Sequence, residues 1–451
     1  MNKTAYQGKQ VIVIGMARSG VGAAILLHEL GAKVAITDIK PLQELTAFLD
    51  QLPEEITVYA GRYPLEKITS ADLVVVSPGV PLDVPFLEMA SLHQIPIISE
   101  LELAYNIAKT PFIGITGTNG KTTTTTLVNQ MLQASGFKTI LCGNIGQSAA
   151  QMILEQEAII QPDYIVAEIS SFQLETIVDF KAHIALILNI TPDHLDRHKT
   201  MEEYRQAKFR IFMNHTAQDY LILNANDPVL NASAIETKSM TSYFSLTQKT
   251  KGVYVDDGWI VYHFPFTSGG LLPIRDIPLI GKHNIENVMA AAAVALTAGC
   301  PSDSVAQAIR QFKALPHRME PVATVNNIRF IDDSKGTNVD AVSCAIENFD
   351  NLILIMGGLD KDGDFTILKD SVRQRVKLII LIGRAADKIE NALKGQTEII
   401  RANSIEDAVA KAYAHAKPGD VALLSPGCAS FDMFKDYKER GRRFKAAVLR
   451  L

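Results

Sequence analysis

Short apolar runs alternate with helix-period segments along nearly the whole chain, and that alternation predicts an α/β protein built on mostly parallel sheets. The pattern restarts three times. The first stretch opens on Val11-Ile12-Val13-Ile14 and passes through a glycine turn, Gly15-Met16-Ala17-Arg18-Ser19-Gly20-Val21-Gly22. A helix ending near Gly31 follows, then a strand over 34–38 that closes on Asp38. Leu73-Val74-Val75-Val76 reads as another strand, and it runs into the turn Ser77-Pro78-Gly79-Val80-Pro81. The second stretch begins with a strand over 112–115, followed by Thr116-Gly117-Thr118-Asn119-Gly120-Lys121-Thr122-Thr123. Further strands are expected at 164–167, 184–188 and 220–223, with hairpins between 243 and 272. An alanine-rich helix over 284–297 is stopped by Gly299 and Pro301. The third stretch starts near Pro316, with strands expected at 328–331, 352–356, 378–382 and 421–424. The expected domains are therefore 1–109 (Rossmann-like), 110–314 (P-loop ATPase-type) and 315–451 (Rossmann-like). A length of 451 residues agrees with about three domains at roughly 150 residues each.

Composition narrows the class without naming a function. Apolar residues make up 47% and charged residues 21%, with a net charge of -5, so no nucleic-acid partner is expected. The four cysteines, Cys142, Cys300, Cys344 and Cys428, are scattered. Their spacing suggests neither a zinc site nor a disulfide framework and fits a reducing cytoplasm. Residues 1–8 lack an apolar signal core, and the longest apolar stretch, 288–298, is too short for a bilayer. A cytoplasmic protein with no membrane role is expected.

The strongest chemical signal is the loop from Gly117 to Thr122, after a strand and before a helix. Amides in such a loop point at phosphate oxygens, the helix N-terminus adds positive potential, and Lys121 reaches the terminal phosphates. The match to the P-loop pattern is imperfect, because Ile115 stands where the first glycine belongs. The N-terminal glycine turn is weaker. Ala17 occupies the position of closest pyrophosphate approach, which argues against a nicotinamide cofactor, while Asp38 lies where a ribose-binding acid is expected. Glu168 ends a strand near the P-loop, where a carboxylate is suited to Mg²⁺, although a helix N-terminal acid would look the same. His194 sits in the loop after the strand at 184–190, and it carries more functional weight than His198. By spacing alone Lys208 is a solvated helix lysine. A regulatory GTPase would need an Asn-Lys-x-Asp signature, which the chain lacks.

These residues resemble those of the Mur ligases of peptidoglycan synthesis. The resemblance lies in the loop 116–122 and in Glu168-Ile169-Ser170-Ser171-Phe172-Gln173-Leu174-Glu175 and Asp193-His194-Leu195-Asp196-Arg197. It continues in Gly281-Lys282-His283-Asn284-Ile285-Glu286-Asn287, Leu315-Pro316-His317-Arg318 and Asp332-Asp333-Ser334-Lys335-Gly336-Thr337-Asn338. The last of these, with Ser425-Pro426-Gly427-Cys428-Ala429-Ser430-Phe431-Asp432, resembles the D-glutamate-adding branch. The resemblance implies an ATP-dependent amide-forming ligase with UDP-N-acetylmuramoyl-L-alanine and D-glutamate as substrates, acting as a monomer with two Mg²⁺ ions. It implies that Gly117, Thr118, Asn119, Gly120, Lys121, Thr122 and Thr123 hold the ATP phosphates. Asn284 and Asn287 would contact adenine, Arg318 the phosphates and Asp333 the ribose. Thr122 and Glu168 would hold one metal, and His194 and a carbamoylated Lys208 the other. Lys121, His194 and Lys208 would carry the catalysis. Ser19, Asp38, Gly79 and Asn144 match contacts to the uridine nucleotide, and Thr337, Lys361, Ser430 and Tyr437 match positions around D-glutamate. Relatives often have phenylalanine in place of Tyr437. Gly336 stands where many carry alanine, a small-for-small change expected to be harmless.

Overall fold

The computed structural model describes residues 5–232, 235–265 and 267–451. They form three sheets. The first is all parallel, with strands β1 (Gln10–Ile14), β2 (Lys33–Asp38), β3 (Thr57–Ala60), β4 (Leu73–Val76) and β5 (Ile97–Ser99) in the order β3-β2-β1-β4-β5. Its central strands are covered on both faces, which is why β1 and β4 read as unbroken apolar runs.

The second sheet contains β6 (Phe112–Thr116), β7 (Thr139–Gly143), β8 (Tyr164–Glu168), β9 (Ala182–Ile187), β10 (Tyr220–Asn224), β11 (Met240–Ser245), β12 (Gly252–Asp256), β13 (Trp259–Phe264) and β14 (Thr267–Pro273). Their order is β14-β13-β12-β11-β10-β9-β6-β8-β7. The hairpins expected between 243 and 272 are the antiparallel pairs β12–β13 and β13–β14, whereas β11 pairs with β12 in parallel. The third sheet holds β15 (Glu320–Val325), β16 (Ile328–Asp332), β17 (Leu352–Gly357), β18 (Val376–Ile382), β19 (Glu398–Arg401) and β20 (Val421–Leu424). Its order is β15-β16-β20-β17-β18-β19, and only the edge strand β15 is antiparallel. Strands β3, β5, β7, β15 and β19 were not legible from apolar runs, since most are short or half-exposed edge strands.

The chain divides into two compact units. One contains residues up to Ile274 together with Asn287–Arg310, the other Arg275–Glu286 and Gln311–Leu451. The first two sheets therefore share a unit, and one apolar core runs through both, from Val13 and Leu27 to Ile165 and Ile187. Two buried carboxylates on the helix Glu100–Ile107 fasten the sheets together. Glu102 accepts from the amides of Val178, Asp179 and Phe180, each at 2.9 Å, and Glu100 accepts from Ala150 N at 2.6 Å. In the helix Lys282–Thr297, residues 288–295 are all buried, the close packing that small side chains allow. In the second unit, separate apolar clusters cover the two faces of the third sheet.

Candidate active site

In the first sheet's glycine turn, Gly15 has φ +91°. A Cβ at Gly20 would lie 1.8 Å from the Gly15 carbonyl oxygen, so the close turn needs glycine there. Asp38 Oδ2 accepts from Met16 N (2.7 Å) and so braces the glycine turn, while Oδ1 accepts from Lys40 N (2.9 Å) in the loop after β2. Ser19 lies in the first turn of the following helix, Arg18–Glu29. Ser77 Oγ donates to the Gly15 carbonyl (2.8 Å), which ties the Ser77–Pro81 loop, and Gly79 with it, to the same turn.

The second sheet presents the loop after β6 at the carboxyl ends of its strands, where open α/β sheets bind ligands. Gly117 and Gly120 have φ of +152° and +84°. Lys121 Nζ donates to the carbonyls of Gly117 (2.8 Å) and Thr118 (2.7 Å), so it lies over the loop and not in solvent. Thr122 and Thr123 start the helix Lys121–Ala134. Asn189, which the sequence reading missed, accepts through Oδ1 from Thr118 N (3.0 Å) and Asn119 N (2.8 Å). Its only sequence signal is its place just past a strand end. Asn287 Oδ1 accepts from Thr124 Oγ1 (3.3 Å), and a Cβ at Gly120 would sit 2.1 Å from the same oxygen. Asn287 thus packs on the loop after β6.

Glu168 ends β8 beside β6 and is buried. Asn144 Nδ2 donates to its Oε1 at 2.8 Å, while Oε2 has no partner among the described residues. An uncompensated buried carboxylate oxygen is costly, and a hard cation such as Mg²⁺ is what such an oxygen fits. Asn144, the position matched to a uridine contact, is thus tied to this carboxylate.

Lys208 corrects the spacing-based expectation outright. It is 1% exposed, its Nζ donates to the Gly117 carbonyl at 2.8 Å, and it lies 4.5 Å over the Tyr204 ring. Burial, with the nearby Lys121 charge, holds its pKa well below the usual lysine range. The Tyr204 hydroxyl shares a hydrogen bond with Thr118 Oγ1 (3.2 Å). His194 adopts φ +55°, which turns its ring edge-on to Phe172 at 4.9 Å. His198, given little weight from sequence, is buried and shares a hydrogen bond with Ser171 Oγ (2.9 Å). Burial pushes its imidazole down to about 4. A cleft of 760 Å³ is lined by Gly79 and Asp83 from the first sheet's loop and by Phe172, Glu175, His194 and Arg197 from the second.

The second unit gathers the remaining candidates except Asn287. Asn284 donates to the Ile280 carbonyl (2.7 Å). Asp333 is buried, accepts from Ser425 Oγ (2.8 Å), and is pushed up to about 7 by burial. The adjoining Arg318 charge opposes that rise. A Cβ at Gly336 would stand 2.5 Å from Asp333 Oδ2 and 2.9 Å from Ser425 Oγ, so alanine there requires these two side-chain ends to shift. Thr337 is half-buried, Ser430 buried and Lys361 exposed. Tyr437 opens the helix Tyr437–Val448, its ring 4.2 Å from Lys335 Nζ. Sequence reasoning also missed Arg440. It is fully buried and donates to Ser334 Oγ (3.0 Å), to the Ser334 carbonyl (2.8 Å) and to the Cys428 carbonyl (3.1 Å). It thereby joins the loops that carry Thr337 and Ser430.

Three family descriptions match successive stretches of the chain. They are the Mur ligase MurD-like N-terminal domain (residues 9–99), the Mur ligase middle domain (115–295) and the Mur ligase glutamate ligase domain (317–428). A UDP-N-acetylmuramoylalanine–D-glutamate ligase of Geotalea uraniireducens is 45% identical over 443 residues, covering 98% of this chain and 97% of that protein. A protein of the same name from a Geobacillus species is 42% identical over 460 residues, covering 100% of both. Among solved structures, a pseudomurein peptide ligase type C from Methanothermus fervidus has a TM-score of 0.63 at 20% identity, covering 98% of this chain and 100% of that one. A MurF ligase from Thermotoga maritima in complex with ADP has a TM-score of 0.60 at 14% identity, covering 100% and 97%. At such identities those two speak to the fold alone. With three Mur ligase family descriptions matched in succession and identity above 40% sustained across the chain, the chain belongs to the Mur ligase family.

Proposed function

We propose that this protein joins D-glutamate to UDP-N-acetylmuramoyl-L-alanine at the expense of ATP, through an acyl phosphate. The observation that carries this reading is identity of 41–45% along nearly the full chain to ligases named for that reaction. A carboxylate is a poor electrophile, so the alanyl carboxylate attacks the γ-phosphorus of ATP and ADP leaves. The amine of D-glutamate then attacks the acyl carbon. The tetrahedral oxyanion collapses, releasing phosphate, and the amine loses its proton.

Both partners in the first step are anionic, and the role assigned to Lys121 is to meet charge growing on the transferred phosphoryl group. Asn189 and Asn287, packed on the loop, keep its backbone in shape. Thr122 and Glu168 would hold one Mg²⁺, and the unpartnered Glu168 Oε2 supports that assignment. His194 and Lys208 would hold a second; bound there, the two ions would offset the charge of the phosphates. Lys208 fits that role only as a carbamate. A buried, neutral Nζ attacks CO₂, forms an N–C bond and releases one proton, and the product offers two oxygens that share one negative charge. Arg318 and Asp333 are assigned to ATP, and Thr337, Lys361, Ser430 and Tyr437 to D-glutamate.

ADP release measured with UDP-N-acetylmuramoyl-L-alanine across a panel of amino acids tests the reading. D-glutamate is expected to be the fastest acceptor, because a site built for its side-chain carboxylate rejects analogues lacking it. Faster ligation of L-lysine or diaminopimelate overturns it.

A further inference from the structure

Arg197 is the residue in which the first sheet's loop and the second sheet's chemistry meet. Its guanidinium uses three sides at once. Nη1 donates to the Pro78 carbonyl at 3.1 Å, Nε and Nη2 grip the two oxygens of Glu175, and its face lies 4.5 Å over the Phe172 ring. Both charged side chains are largely withdrawn from water, at 16% and 12% exposure, so the pair is not a solvated surface contact.

Each contact leads to a group already discussed. Pro78 precedes Gly79 in a loop whose Ser77 hydroxyl is bonded to the Gly15 turn, so Arg197 senses the position of the whole first-sheet ligand end. Phe172 meets the His194 ring edge-on, so the same guanidinium fixes the surface against which His194 rests. Gly79, Phe172, Glu175, His194 and Arg197 itself all line the same 760 Å³ cleft. Lysine cannot replace this arrangement. A point charge lacks the planar fork that grips a carboxylate in two places while stacking on a ring.

We propose that Arg197, braced by Glu175, is a positioning residue that holds the Pro78–Gly79 loop in register with His194. It would thereby set the alanyl carboxylate of the UDP substrate against the phosphate being transferred. This rests on the ligase reading above. Removing Arg197 should leave the two sheets joined, because Glu100 and Glu102 fasten them elsewhere.

The test uses the full-length chain and the variants R197A, R197K and E175Q, with steady-state constants measured for each substrate in turn. Loss of register is expected to raise KM for UDP-N-acetylmuramoyl-L-alanine about tenfold or more and to lower kcat by about 100-fold. KM for ATP should stay within about twofold, since the phosphate loop contacts are untouched. R197K should behave like R197A, added guanidinium should restore part of the R197A activity where methylammonium does not, and R197K and E175Q should combine non-additively. If R197A fails to fold, R197K gives the same readout. Wild-type constants in R197K, or equal rises in KM for ATP and the UDP substrate, overturn the positioning role. Absence of ligation by the wild-type protein would overturn the ligase reading itself.

Discussion

The two lysines that donate to the Gly117 loop, Lys121 and Lys208, have different chemistry because their surroundings differ. Lys121 is held by two loop carbonyls and sits in the first helical turn, where it can swing to a phosphate. Lys121→Ala is expected to reduce ligation by about 100- to 1000-fold, the usual cost of removing a donor that meets developing charge. Circular dichroism and melting temperature should stay near wild type, since only two hydrogen bonds, to the Gly117 and Thr118 carbonyls, are lost. Wild-type turnover in this variant would remove Lys121 from the phosphate. Lys208 is fully enclosed and its ammonium form is disfavoured. Lys208→Ala is expected to abolish most activity, with partial recovery in added formate or acetate as a small carboxylate fills the vacated ligand position. Full activity of the variant, or an intact-mass spectrum and density map of active enzyme without the CO₂ adduct, would retire the carbamate.

At the scale of elements, the helix Glu100–Ile107 is the fastening between the first two sheets. Ser99 caps its N-terminus by accepting from Glu102 N, and Glu102, fully buried, caps three successive amides of the Val178–Phe180 turn. Hydrogen bonds to a charged acceptor contribute about 1.5–3 kcal/mol. Glu102→Gln keeps the volume but loses the charge and turns one oxygen into a donor facing N–H groups. It is expected to lower stability by about 2–3 kcal/mol, read as a lower urea midpoint. An unchanged midpoint would show that the turn finds other acceptors. The same scale explains the alanine helix: small side chains let its backbone approach the sheet and bring Asn287 onto Gly120.

For the whole molecule, pH acts through buried groups of opposite sign. His215 is buried, and burial pushes it from 6.5 down to about 4 against the opposing pull of Asp219 and the Ala182 backbone. Asp219, Lys181 and His183 are the charged groups around it, and they do not reverse the shift. A group whose folded pKa is depressed contributes stability above its unfolded value and loses it as pH falls from about 6.5 toward 4. Glu100 is raised from 4.5 to about 7 by burial, so its contribution is present below 4.5 and is lost as pH rises toward 7. At about 1.4 kcal/mol per unit, each effect is about 2 kcal/mol between pH 5 and 7. They offset each other in the intact protein. His215→Leu is expected to gain stability relative to wild type on going from pH 7 to 5, and Glu100→Gln on going from pH 5 to 7. Parallel stability curves for wild type and either variant would contradict the corresponding assignment.

The sequence by itself determined what is local. Apolar runs such as 11–14 and 352–356 became central strands because both their faces are covered, and Gly117, Gly120 and Lys121 announced a tight strand-to-helix loop because its geometry is set by neighbours in the chain. Half-exposed edge strands such as β3 and β19 gave too little apolar contrast to be read. Tertiary structure alone decided what depends on partners far along the chain. Lys208 reads as a solvated helix lysine until a carbonyl 91 positions away, at Gly117, receives its amine and the core closes over it. The tie between Asn144 and Glu168 spans 24 positions, and Arg440 carries no signal until Ser334, 106 positions earlier, and Cys428 converge on it. Side-chain pKa and metal-binding capacity follow from burial and from which oxygen is left without a donor, and neither quantity exists before the chain has folded.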